Sequence, residues 1–370
     1  MEMLRAQIRA QGPVSFAWFM EQALYHPQHG YYASDRGSIG REGDYFTNVS
    51  VGPVFGRLLA RQFVEIWEKL GRPVDFTIVE QGAHHGEFAR DVLEALHAEV
   101  PELGARLRYR IVEPLPALRE RQAVTLKEFR DQVDWKESCG DLESFTGIYF
   151  CNELLDALPV HLLVTVAGQW QEKLVTLVED DFAFINQPIA NAPLQRHLGR
   201  IPVPPDGYET EVNLAVLELA EQISKRLRRG YWLAIDYGFS RQQFYDEQRV
   251  TGTLQCRARH QVLASPFTAI GETDITAHVD WTSLVERAVA ADLRVAGFTD
   301  QHHFLTGLLS ELPAFAENTS PKERRALQTL LHPEMLGRSF QVLALARAVN
   351  QAASLSGFKF AKDARVALGV

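Results

Sequence analysis

Short apolar or β-branched runs recur along the chain with helical stretches between them, and this alternation constrains the fold more than any other feature. "FTIVE" (76–80) gives way to a helix from Gly86, and "RYRIVE" (108–113) to a helix through "LPALRERQ". "GIYFCNE" (147–153) follows, then "YWLAIDYG" (231–238) after the amphipathic segment 208–229, and finally "FQVLALAR" (340–347). Strands separated by helices cannot be joined by tight hairpins, so they pair in parallel, with helices packed on both faces of an α/β sheet. Ahead of the first strand, Phe55, Leu59, Phe63, Ile66 and Leu70 fall at helical spacing, with Gly71 and Pro73 as a stop signal.

Two stretches break the alternation. Residues 160–205 read as strands joined by turns and followed by the connector "RIPVPPDG", an insertion over the sheet's edge. Residues 240–281 are polar and loop-like, as lids and binding loops are. The expected organisation is a helical, cleft-bordering region at 1–71 and one domain at 72–370.

Composition narrows the function. The apolar share of 46% and charged share of 23% are those of an ordinary globular protein. A net charge of -9 argues against neutralising a row of phosphates, so no nucleic-acid partner is expected. The basic patch "SKRLRRG" (224–230) reads as the end of a solvated helix, where cations suit the dipole. Cys139, Cys151 and Cys256 have neither CxxC spacing nor an even count, which points to a reducing compartment. The start "MEMLRAQIRAQGPVSF" has no signal-peptide pattern and no apolar run approaches the ~20 residues of a membrane span, so the expectation is a cytoplasmic protein.

Chemistry is expected beyond the carboxyl ends of the strands, where doubly wound sheets bind ligands. In "VEQGAHHGEF", Gly82 allows a sharp turn after the first strand and Gly86 allows the next helix to pack closely. Glu113 ends the second strand, where a carboxylate can accept both hydroxyls of a ribose. Asp141 and Leu142 in "CGDLESF" follow a further expected strand and could frame an adenine. Together they describe a nucleoside crevice. A dinucleotide pyrophosphate needs a glycine-rich turn, and His84 and His85 crowd that approach. Glu113 also lies 27 residues after Gly86, longer than the ~20 of the dinucleotide fingerprint. S-adenosylmethionine, which carries a sulfonium and no phosphate, suits an acid-ringed crevice better than NAD; a nicotinamide oxidoreductase fits the sheet but not the turn.

In "NELLDALPV" (152–160), Asn152, Glu153 and Asp156 cluster at a strand end. The three-residue step would put both carboxylates on one side of a helical turn, able to hold a guanidinium in bidentate hydrogen bonds. From composition alone, Asp156 reads more readily as the cap of a short helix that Pro159 ends. The histidine pairs 26/29, 84/85 and 302/303 have no third ligand fixed by spacing, so no metal is expected.

The stretches "GPVSFAWFMEQALYHPQHGYYA", "IVEQGAHHGEFARDVLEAL", "NELLDALPV", "AIDYG" and "DITAHVDW" resemble, in order, those of the MidA-type methyltransferases, bacterial relatives of the mitochondrial complex I assembly arginine methyltransferase. The resemblance runs from about residue 12 to the last strand. It implies a class I, Rossmann-like methyltransferase fold with seven strands and the last one antiparallel, S-adenosyl-L-methionine as cofactor, and an arginine of a partner protein, such as a respiratory-complex subunit, as methyl acceptor. Carried over by position, it implies that Glu80, Gly82 and Gly86 form the cofactor turn and that Glu113 is the ribose acid. Asn152, Glu153 and Asp156 would lie between cofactor and substrate. Asp44, Tyr45 and Thr47 would border the cleft with Asp236, Asp274 and Thr276. Three departures from the family pattern stand out: His84 stands for a glycine, Val49 and Ser50 for Pro-Glu, and Leu115 for a small polar residue. The first two motivate an alternative, a methyltransferase-fold protein that binds partners or assists assembly without catalysis or with weak activity.

Overall fold

The computed structural model describes residues 2–33, 47–258, 261–312, 315, 319–350 and 354–370. Its main sheet has seven principal strands: β1 (Thr77–Gln81), β2 (Arg108–Val112), β3 (Val133–Lys136), β4 (Phe145–Asn152), β5 (Leu227–Phe239), β6 (Arg294–Asp300) and β7 (Phe340–Arg347). Their spatial order is β3-β2-β1-β4-β5-β7-β6. β1 to β5 pair in parallel, and β7 runs antiparallel between β5 and β6. Both the parallel sheet and the antiparallel last strand match expectation. Strand order reverses between β1 and β4, which places the switch point of the sheet beside the turn after β1.

The longer helices are α1 (Glu2–Gln11), α2 (Phe16–Tyr25), α3 (Val54–Lys69), α4 (Glu87–Glu99), α5 (Pro116–Thr125), α6 (Leu214–Arg226), α7 (Trp281–Ala290), α8 (Gln301–Ser310) and α9 (Pro321–Leu331), and those from α3 onward include the ones that cover the two faces of the sheet. Strand residues alternate between two cores because successive side chains point to opposite faces. Ile78, Ile148, Phe150, Leu233 and Ile235 pack with α3, α4 and α8. Val79, Tyr149, Cys151, Trp232 and Ala234 pack with α6 and α7. A fully buried Phe150 alone stabilises by roughly 2–3 kcal/mol relative to exposure.

The basic patch divides between elements. Lys225 and Arg226 close α6 as expected, but Leu227 already begins β5, so Arg228 and Arg229 are strand residues.

The segment after β4 folds as a second sheet, in which His161–Val166, Gln169–Val178, Asp181–Pro188 and Glu209–Val212 join Val14–Ser15. The polar segment 240–281 is more ordered than its composition suggests. It holds a small antiparallel sheet of Gln255–Ala258, Gln261–Val262 and Asp274–Thr276. Cys256, Ile275 and Ala277 pack there with Leu4 and Ile8 of α1 and Phe16, Phe19 and Met20 of α2. This third core supports a second wall facing the strand ends.

Candidate active site

A cleft of about 2900 Å³ opens beyond the carboxyl ends of the strands. The turn from β1 into α4 supplies Gln81 to His85, the end of β2 supplies Glu113, Leu115 and Leu118 lie nearby, and β4 leads into Asn152, Glu153 and Asp156. α2, Tyr31, Tyr32 and the small sheet at 255–276 complete the lining.

The turn needs left-handed backbone at three places. Gly82 (φ +84°) and Gly86 (φ +87°) adopt it freely, and a Cβ on Gly86 would lie 3.3 Å from Leu126 Cδ1. His84 adopts it too, at φ +46°, which costs about 1–2 kcal/mol for a residue with a Cβ. Its ring is turned onto that of His85, with centroids 3.8 Å apart. Burial drives the His84 pKa down to about 3, with His85 and Arg121 adding to the effect, so the imidazole is neutral.

Glu113 is 4% exposed. Its Oε1 accepts from the Leu115 amide at 3.0 Å and its Oε2 from Gln122 Nε2 at 3.1 Å. Desolvation raises its pKa to about 7, against these two hydrogen bonds and the charge of Arg119.

The remaining expected cofactor residues lie elsewhere. Glu80 is buried on the α4 face of β1, accepts from the Tyr109 hydroxyl at 2.7 Å, and has its pKa lifted to about 8 by burial. Asp141 is exposed and caps its own 3-10 turn, accepting from Ser138 N at 3.0 Å and Ser138 Oγ at 2.7 Å. Leu142 is buried against Val79, Val112 and Phe145. None of the three lines the cleft. Sequence spacing places a residue at a strand end but not the direction of its side chain, which the alternation of β1 and the capping turn decide here.

The "NELLD" stretch is not a helical turn. Glu153 sits at φ +52°, and the chain bends through Leu154 and Leu155 into a turn at Asp156. Asp236, fully buried at the end of β5, holds this bend: its Oδ2 accepts from the amides of Leu154 (3.1 Å), Leu155 (2.7 Å) and Asp156 (3.3 Å). Asp236 therefore lies beneath the cleft rather than on its lining, and desolvation raises its pKa to about 7. Glu153 Oε1 accepts from Asn48 N (3.0 Å) and Asn152 Nδ2 (2.8 Å), with a pKa raised to about 7, chiefly by desolvation. Desolvation and the charges of Asp236, Asp274 and Glu153 raise the Asp156 pKa well above the ordinary carboxylate range. Asp274 Oδ1 accepts from the Tyr32 hydroxyl at 3.1 Å, and Thr276 lines the cleft on the same strand.

Thr47 lines the cleft and forms a tight reciprocal turn with Ser50. Asp44 and Tyr45 fall outside the described residues. Sequence reasoning missed three buried amides. Asn48 donates from Nδ2 to Asn152 Oδ1 (3.0 Å) and accepts from Gln301 Nε2 (2.8 Å). Gln122 joins Glu113 to the carbonyl of His84. The available signal was weak: polar residues at core-facing helix positions, Gln122 among them.

One trio of metal-ligand types comes together among the described residues, His84, His85 and Glu87, with donor atoms within 4.8 Å of one another. The two rings are stacked, so their in-plane lone pairs do not converge, and Arg121 Nη1 lies 3.3 Å from His85 Nε2. The trio is thus arranged as a stack rather than a chelate.

A sequence profile of S-adenosyl-L-methionine-dependent methyltransferases matches residues 58–299, which include the β1 turn, Glu113, the "NELLD" bend and Asp274. The chain belongs to this methyltransferase family. A solved structure of a COG1565 superfamily member from Burkholderia thailandensis, bound to S-adenosyl-homocysteine, is 32% identical to the methyltransferase. It covers 99% of this chain and 95% of its own, with a TM-score of 0.86. Two curated relatives are named protein arginine methyltransferases and mitochondrial. The Drosophila melanogaster protein is 29% identical over 93% of this chain and 84% of its own length. The Homo sapiens protein, NDUFAF7, is 28% identical over 92% and 82%.

The lining of the methyltransferase fits the family's cofactor. Glu113 provides an acceptor for hydroxyls, Leu115 and Leu118 an apolar surface, and Gly82 an exposed backbone approach.

Proposed function

We propose that this methyltransferase modifies an arginine side chain of a partner protein, with a respiratory-complex subunit as the candidate acceptor. One observation carries the reading: Glu153, Asp156 and Asp274 all line the cleft, closely enough that the charges of Asp274 and Glu153 raise the Asp156 pKa and the charge of Asp274 raises that of Glu153. Such a cluster is unfavourable alone and is relieved by an incoming cation that keeps its charge in water, as a guanidinium does. The names of the fly and human relatives support the same acceptor.

In this reading Glu113 accepts the ribose hydroxyls, while Leu115 and Leu118 face the base. S-adenosylmethionine, when bound, supplies an electrophilic methyl group on sulfonium sulfur. The chain's own part is alignment and proton handling. Glu153 and Asp156 orient one guanidinium nitrogen, and the proton that nitrogen loses on methylation passes to the Asp156 carboxylate. Tyr32 steadies Asp274, and the wall built from α2 and residues 240–281 acts as a lid that keeps water out. Residues 72–370 work as the catalytic unit and 1–71 as its border. We place the protein in the cytoplasm, where its three buried thiols stay reduced; cell fractionation with an antibody checks this.

The test pairs calorimetry with transfer of a labelled methyl group to arginine-containing peptides or co-purified proteins. Wild-type protein is expected to bind S-adenosylhomocysteine and to label arginine. Asp156→Asn is expected to keep that binding and lose transfer by roughly 100-fold or more, the range for a lost proton acceptor. Cofactor binding without any methyl transfer would instead favour the partner-binding scaffold. The rate should climb as pH rises through and beyond about 7, because Glu153 must ionise to hold the cation and Asp156, also raised by burial and its acidic neighbours, must ionise to take the proton.

A further inference from the structure

We infer that Gln122 is the positioning residue that keeps the ribose-binding acid in its acceptor form, an inference resting on the role proposed above for Glu113. Gln122 lies on α5 and is fully buried. Its Oε1 accepts from Trp135 Nε1 at 2.9 Å. An indole N–H only donates, so the amide oxygen must face Trp135 and the NH2 group must face the other way. That NH2 donates to the His84 carbonyl at 2.8 Å and to Glu113 Oε2 at 3.1 Å. A single amide therefore ties together the turn after β1, the end of β2, and β3.

This arrangement does more than fill space. Two ribose hydroxyls that both donate require a carboxylate that only accepts, and burial works against that ionised form. A hydrogen bond from a neutral amide is stronger to the ionised acid than to the protonated one, so Gln122 biases Glu113 toward the charged state. Its grip on the His84 carbonyl also fixes the left-handed residue of the turn, with the ring against His85.

The other groups around Glu113 cannot replace this bond. On α5, Arg119 Nε donates to the Glu113 carbonyl at 2.7 Å, while its Nη2 is shared with Glu137, 3.2 Å away beyond β3. The Lys136 carbonyl accepts from the Glu113 amide at 2.9 Å. Tyr25 of α2 is neutral, its hydroxyl pKa pushed up by burial and further by nearby acids, Glu113 among them. His84 is neutral, and Arg121 lies against His85.

The experiment is calorimetric binding of S-adenosylhomocysteine from about pH 5.5 to about pH 9.5, a window spanning the raised acid, by wild type, Gln122→Met and Gln122→Glu. Wild-type affinity is expected to rise with pH through about 7. Gln122→Met keeps the side-chain length but removes the donor, so its midpoint moves up by about one unit and affinity falls roughly fivefold near neutrality and roughly tenfold well below it. At the alkaline end the two curves converge, because Glu113 is then ionised in both. Gln122→Glu keeps an acceptor for Trp135 and sets a second acid against Glu113, so its midpoint moves the same way even if the methionine variant does not fold. An unshifted midpoint in a folded variant, or an equal loss of affinity at every pH, overturns the assignment while leaving the ribose role of Glu113 intact. No binding by wild type at any pH overturns both.

Discussion

His84 and Glu113 show how much a single position reveals. A carboxylate ending a strand beside a glycine turn is legible as a cleft residue from order and type alone, and Glu113 stands at the cleft. The orientation of His84 is not legible, because it depends on φ at one residue and on the neighbouring ring of His85. Since the ring rests on His85 and the left-handed backbone is present without ligand, His84→Gly should leave S-adenosylhomocysteine affinity unchanged while relieving about 1 kcal/mol of backbone strain in the folded state. Calorimetry checks this; a clear loss of affinity would mean that the imidazole itself touches the ligand. Asn48, Gln122 and Gln301 escaped sequence reading because an amide has no characteristic spacing and its partners here lie far away along the chain.

At the scale of elements, the bend after β4 depends on a carboxylate from β5. Leu154, Leu155 and Asp156 present their amides to Asp236 Oδ2 as a helix start presents them to an anion. Each buried N–H left without a partner costs about 1–3 kcal/mol, so Asp236→Ala should lower unfolding stability by at least about 3 kcal/mol. Denaturant titration measures this, and a loss below about 1 kcal/mol would show that the bend holds itself. Asp236 is recognisable from sequence as a strand-end acid, yet its direction toward backbone rather than cleft follows from the parallel pairing of β4 with β5. A similar close approach explains Gly147 at φ +147°. A Cβ there would come 2.0 Å from the Thr77 carbonyl oxygen, and Gly147→Ala is expected to abolish soluble, cooperatively folding protein.

Across the whole molecule, buried acids set the pH response. Glu80 (about 8), Glu113, Glu153 and Asp236 (each about 7) hold protons in the folded state that the unfolded chain would release near pH 4. Their contribution to stability is complete below the unfolded values and is lost as pH rises to about 8. Burial depresses His84 (about 3), His197 and His278 (each about 4), so their contribution is lost only as pH falls below the imidazole range near 6.5. Between about pH 6.5 and 8 the acids act alone, and ligand-free protein should melt at a lower temperature at pH 8 than at pH 6.5. Scanning calorimetry decides it, and a flat or rising profile would contradict the burial of these groups. The alternation of apolar runs was enough to establish the parallel sheet, its helical layers and the placement of chemistry at strand ends, because periodicity and chain connectivity are local properties. Which acids face the cleft, how the carboxylates of Glu153, Asp156 and Asp274 come to share one site, and which amides hold them were decided only in three dimensions. Side-chain direction and desolvation arise from neighbours distant in sequence, and those neighbours exist only once the chain has folded.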